Sequence, residues 1–75
     1  MLTTDLLRLV PDGATHALVE RRLHRGEQVF AVVAVVPGGA SIPLNGYGEQ
    51  RLALEVASEL NERLGALDFD PRILL

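Results

Sequence analysis

Cysteine, lysine and tryptophan are all absent from this 75-residue chain, and aromatic residues make up only 4% of it. Without cysteine no disulfide can form, and a zinc site would lack its commonest ligand. A chain of this length buries roughly 60% of its surface on folding, so a core alone contributes only about 3 to 5 kcal/mol. We therefore predict one domain, residues 1–75, that self-associates for support, with a homodimer favoured.

Long hydrophobic runs are also lacking. The longest extends from Val29 to Pro37, about half of the ~20 residues that a membrane-spanning helix needs. Residues 1–10 carry Asp5 and Arg8 among leucines and lack the basic start and long apolar run of a secretion signal. These absences predict a cytoplasmic protein without membrane contact.

The charge balance is acidic, with seven arginines against ten carboxylates, a net charge of -3 and a pI near 5.2. Such a molecule repels a phosphate backbone at long range, which disfavours nonspecific binding to nucleic acid.

The first segment predicts a short helix. Thr3 and Thr4 can cap it, and Pro11-Asp12-Gly13 ends it. The residues that share its apolar side are Leu2, Leu6, Leu7 and Val10. A first strand is the alternative for this segment.

Three strands are predicted next. Residues 15–25 alternate between apolar and polar side chains, and residues 28–36 are rich in β-branched residues without a polar face. A tight reversal at residues 24–27 joins them. Pro37-Gly38-Gly39 turns the chain into a third strand, residues 40–44, which Pro43 places at a sheet edge, and residues 45–48 form another turn.

Residues 49–64 predict an amphipathic helix that ends at Gly65. Its apolar stripe comprises Leu52, Val56, Leu60 and Leu64, with Ala53 and Ala57 beside them, while Glu55, Glu59 and Glu62 occupy the solvent side. The fold class is thus α+β: a short N-terminal helix, a three-stranded antiparallel meander and a C-terminal amphipathic helix packed on one face. This order is similar to that of double-stranded-RNA-binding domains, but Glu49-Gln50-Arg51 stand where those domains place lysines.

The central strand is apolar on both faces, so both faces need a cover. The helix covers one, and either the N-terminal segment or a second subunit covers the other. The tail, residues 67–75, ends in three apolar residues and should dock on its own sheet or on a partner's. Our first functional hypothesis is therefore a homo-oligomeric interaction or regulatory module, with another protein as a further possible partner. The predicted interface comprises Val29, Ala31, Val33, Val35, Leu54, Ile73, Leu74 and Leu75.

A second hypothesis is a nucleic-acid-binding domain that uses Arg21, Arg22 and Arg25, the only basic concentration in the chain. The same arginines could instead pair with the acidic helix face of a second copy, which we favour.

Enzymatic chemistry is the third hypothesis. His16, Glu20 and His24 are four residues apart, a metal-ligand spacing on a helix, but on a strand four residues span about 13 Å. Ser41, Ser58, Thr15 and Tyr47 stand in no recognisable motif with either histidine, and Gly46-Tyr47-Gly48 is better explained as a turn than as a phosphate loop. We predict no catalytic residue, no metal and no cofactor.

Overall fold

A three-stranded antiparallel sheet with one helix packed against it forms residues 6–66, the part of the chain that this computed structural model describes. The strands are β1 (His16–His24), β2 (Glu27–Val35) and β3 (Ser41–Tyr47), in the order β1-β2-β3, and the helix is α1 (Gln50–Leu64). The predicted α+β class, meander and C-terminal helix are confirmed. Of the predicted N-terminal helix, Leu6 and Leu7 are helical and a turn follows, whereas its start lies outside the described residues.

The β1–β2 hairpin closes through a two-residue loop. Arg25 and Gly26 both have positive φ angles, 53° and 82°, and the flanking pair is His24 with Glu27. This geometry is that of the mirror-image turns whose twist matches the twist of paired strands. The register continues without a break to the pair of His16 with Val35, so the tight reversal predicted here is confirmed.

Strand β3 is longer than the sequence predicts. Residues 45–48 were expected to turn, but the strand extends to Tyr47. The reason is a bulge: Val33 pairs with Pro43 and Val32 with Asn45, so Leu44 is an extra residue and the ladder resumes beyond it. Pro43 lies on an edge strand, as predicted.

Helix α1 faces the sheet through smaller residues than the predicted stripe. Ala53, Ala57, Leu60 and Asn61 are buried, whereas Leu52 keeps 38% of its surface exposed. The stripe that contacts the sheet is therefore centred on Ala53, Ala57 and Leu60 and is rotated away from Leu52. Gly65 ends the helix in the left-handed conformation with a φ of 79°, as its position predicts.

The two faces of the sheet carry separate apolar clusters. The helix-side cluster contains Leu6, Ala17, Val19, Val32, Ala53, Ala57 and Leu60. The second-face cluster contains Leu18, Ala31 and Val33, with the half-buried Val35 packed against it. Leu6 belongs to the helix-side cluster, so the described part of the N-terminal segment does not cover the second face, contrary to one of our two expectations.

Residues 6–66 contain no helix with the length and hydropathy needed to cross a membrane.

Candidate interaction surfaces

Asn61 fixes α1 to the edge strand β1. Its Oδ1 accepts a hydrogen bond from the Ala17 N–H at 2.6 Å, and its Nδ2 donates to the Ala17 carbonyl at 3.0 Å. Asn61 is 2% exposed, so the side-chain amide replaces a neighbouring strand at this one position. The outer backbone groups of Ala17 are thereby unavailable to a further strand.

The other end of β1 is open. Residues 21–28, which we call the hairpin tip, are all exposed, and the first half-buried residue after them is Val29. The third strand begins to pair only at Phe30, opposite Tyr47, so the tip is a two-stranded ribbon. Leu23 is 79% exposed, the largest value among the exposed large apolar residues of the described chain. The tip therefore contributes nothing to either cluster and is available for contact.

The arginines of the tip are arranged around the ribbon rather than on one face. Arg21 shares the side of Ala17 and Val19, Arg22 projects from the opposite side, and Arg25 occupies the turn. Arg22 donates from Nε to the Glu20 carboxylate at 3.1 Å. No ion pair within residues 6–66 involves Arg21 or Arg25. These two guanidinium groups are therefore the ones in the tip that can pair with an anionic group of a partner.

A shallow open groove runs along the outer side of α1. Its volume is about 860 Å³, and its lining within the described residues is Gln50, Arg51, Leu54, Glu55, Ser58, Glu59 and Glu62. Leu54 is half-buried and packs against the helix-side cluster. Glu55 pairs with Arg51 at 3.1 Å, and both side chains are more than 60% exposed. The described lining of the groove thus combines one apolar residue with three carboxylates and one arginine.

The predicted interface residues divide between two surfaces. Ala31, Val33 and Val35 lie in the second-face cluster, and Val29 is on the same face, half-buried. Leu54 lies in the groove of α1, on the other side of the sheet. Ile73, Leu74 and Leu75 are outside the described residues. Because Ala31 and Val33 are only 6% and 0% exposed in a single chain, this face offers little free surface, and its role as an interface stays a prediction.

The histidines do not form a metal cluster with other described residues. His16 and His24 lie at opposite ends of β1, a strand as predicted, and no group of three potential ligands occurs within residues 6–66. His16 Nδ1 is 2.8 Å from the Thr15 hydroxyl. Ser41 lies on the far side of β2 from His16, with Val35 between them, about 10 Å across two strand spacings. The Tyr47 hydroxyl accepts a hydrogen bond from Asn45 Nδ2, at 3.3 Å.

Sequence reasoning missed Asn61. A signal was present, because Asn61 follows Ala57 by four residues and Ala53 by eight, which places it on the buried stripe of the helix. A polar residue on such a stripe needs a buried hydrogen-bond partner. The partner is a backbone group 44 residues away, which no local pattern could identify.

No protein-family model, no curated protein and no solved structure shows a significant match to this chain. The surfaces described above are therefore the basis for a functional assignment.

Proposed function

We propose that this protein is a small self-associating interaction module, in which the hairpin tip of one copy binds the acidic groove of α1 on another. The observation that carries this proposal is the hairpin tip, an exposed ribbon that presents Leu23, at 79% exposure, between two arginines without carboxylate partners in the described residues. An apolar residue ringed by charges is a common composition for a protein contact.

The groove matches the tip in chemistry. Leu54 offers an apolar contact for Leu23, and Glu62 lies in the same groove for the arginines. Glu55 is a second carboxylate for them, because its ion pair with Arg51 is exposed to solvent and can be exchanged. Such rim charges mainly set the encounter rate and the orientation of partners, while the apolar centre contributes most of the affinity. The acidic net charge of the whole chain does not oppose the contact, because opposite charges meet locally.

The proposed contact joins two different surfaces of the molecule. Such a contact closes into a dimer only when both copies exchange it across a two-fold axis; otherwise it produces a ring or a chain of subunits. A dimer that makes the contact twice agrees with the expectation that a small core needs added support.

The test is the solution mass by light scattering, over a range of protein and salt concentrations. The variant Arg21→Glu with Arg25→Glu should be monomeric, and so should Glu55→Arg with Glu62→Arg. An equimolar mixture of the two variants should associate, because the acidic tip of the first meets the basic groove of the second. The variant Arg8→Glu is the control, because Arg8 is exposed and lies in neither the hairpin tip nor the groove lining, and it should associate like the unmodified chain.

Two results would overturn the proposal. The unmodified chain could remain a monomer up to millimolar concentration at low salt. Alternatively, it could associate, but with a mass that neither charge reversal changes.

Nucleic acid is a second candidate partner for the same tip, since a two-stranded ribbon with exposed Arg21, Arg22 and Arg25 has dimensions that the major groove accommodates. Titration of labelled DNA and RNA at two salt concentrations separates the two partners. Binding that weakens steeply with salt and is lost in the Arg21→Glu, Arg25→Glu variant would favour nucleic acid. Absence of binding at low salt would remove this candidate.

A further inference from the structure

The second-face cluster is buried on a side of the sheet where residues 6–66 place no helix or strand. Val33 is 0% exposed and Leu18 is 7% exposed. Both lie opposite α1, because Val32 and Val19, their neighbours in the chain, belong to the helix-side cluster. Leu6, Leu7 and Val10 are also in contact with that helix-side cluster. A valine in the centre of a three-stranded sheet cannot lose all its accessible surface to strand neighbours alone, because its side chain stands perpendicular to the sheet.

Two segments of the chain lie outside the described residues, and only one fits this position. Residues 1–5 contain two apolar side chains, Met1 and Leu2, and they lead directly into Leu6 on the helix side. Residues 67–75 contain five apolar side chains, namely Leu67, Phe69, Ile73, Leu74 and Leu75. The second segment therefore has both the length and the apolar content for a cover.

The point where the tail begins supports the same choice. The Ala66 N–H donates to the Asn61 carbonyl at 2.7 Å, and the Asn61 side chain is bonded to Ala17 on β1. Leu18, the next residue of β1, already belongs to the second face. Nine extended residues reach about 30 Å, and the three strands of the sheet span about 10 Å. The tail can thus pass round the β1 edge and cross the whole face.

We propose that residues 67–75 pass round the edge of β1 and cover the second-face cluster of their own chain. The apolar surface that the sequence assigns to a partner is then closed within one molecule. The proposal does not depend on the contact between the hairpin tip and the groove.

Thiol labelling tests the cover, since the chain has no cysteine of its own. Val33→Cys and Val32→Cys place a thiol at adjacent positions that are both 0% exposed but face opposite sides. Each is combined with Ile73→Asp and Leu74→Asp in the full-length chain. The tail substitutions should accelerate labelling at position 33 by at least about tenfold and leave position 32 unchanged. If Val33→Cys does not fold, Leu18→Cys reports on the same cluster.

Measurements at low protein concentration and high salt keep the proposed contact between copies out of the experiment. Three results would overturn the tail proposal. Labelling at position 33 could be insensitive to the tail substitutions. Positions 32 and 33 could accelerate together, which would mean that the tail supports the whole fold rather than the second face. Protection at position 33 could grow with protein concentration, which would assign the cover to a second copy.

Discussion

The two halves of β1 differ in burial along a single strand. From Ala17 to Val19 every residue is buried, and Asn61 occupies the outer hydrogen bonds of Ala17. From Arg21 to His24 every residue is exposed, and no third strand flanks the ribbon. One continuous strand with an unbroken register therefore contributes to the core at one end and presents exposed surface at the other. Substitutions at the two ends should separate folding from binding.

The largest loss of stability is expected for Leu60→Ala, on the helix that packs against the sheet. Leu60 is 0% exposed and has the largest side chain among the fully buried residues, so its truncation leaves a cavity between α1 and the sheet. We expect the free energy of unfolding to fall by about 2 to 5 kcal/mol, measured by urea denaturation. Leu52→Ala is the matched control on the same helix and should lose less, because Leu52 retains 38% exposure. Equal losses at the two positions would contradict the observed rotation of the helix.

The second prediction concerns the bond that closes the start of β1. Asn61→Ala removes the partner of one backbone donor and one backbone acceptor at Ala17, and unsatisfied buried groups each cost about 1 to 3 kcal/mol. Water can reach the edge of β1 in the variant, so we expect a total loss near the middle of that range, about 2 kcal/mol. Ser58→Ala, on the exposed side of the helix, should change stability by less than about 0.5 kcal/mol. An Asn61→Ala chain as stable as the Ser58→Ala chain would show that the two hydrogen bonds to Ala17 add nothing.

Asn61→Asp sharpens this second prediction. A carboxylate still accepts from the Ala17 N–H but cannot donate to the carbonyl, and it brings a charge into a site that is 2% exposed. This variant should therefore be no more stable than Asn61→Ala at neutral pH. Greater stability of the aspartate variant would argue that a single accepted bond is sufficient.

The sequence predicts the bounds of the strands and of the helix better than it predicts how they pack together. Alternation and β-branched residues place β1 and β2 within one residue of their observed bounds, and α1 likewise begins one residue from the predicted start. The bulge at Leu44 escapes such reasoning, because one inserted residue leaves no periodic trace. The position of Asn61 opposite Ala17 escapes it for another reason, since the contact joins residues far apart in the chain.

The candidate surfaces are predicted less completely than the fold. The arginines near the first turn are visible in the sequence, but the pairing of Arg22 with Glu20 and the isolation of Leu23 depend on where β3 starts to pair. The apolar character of the second face follows from the two-sided pattern of β2. What covers that face does not follow, because a tail and a second subunit satisfy the same pattern.

The smallest effect on stability is expected at the free end, for Leu23→Ser. Leu23 is 79% exposed and touches neither cluster, so the change in the free energy of unfolding should be within about 0.5 kcal/mol. The proposed contact gives the same substitution a second consequence. Because Leu23 supplies the apolar centre of the contact, its replacement should raise the dissociation constant of self-association by at least about tenfold, as loss of a contact centre commonly does.

Leu9→Ser is the control for Leu23→Ser, since Leu9 is also an exposed leucine, at 58%, and lies in neither the hairpin tip nor the groove. It should leave both stability and association unchanged. Urea denaturation and light scattering on the same samples provide the two readouts. A Leu23→Ser chain that is destabilised would mean that the tip belongs to the core after all. If the Leu23→Ser chain is neither destabilised nor weaker in association, Leu23 is not part of the contact between copies, and the proposed binding through the hairpin tip is wrong.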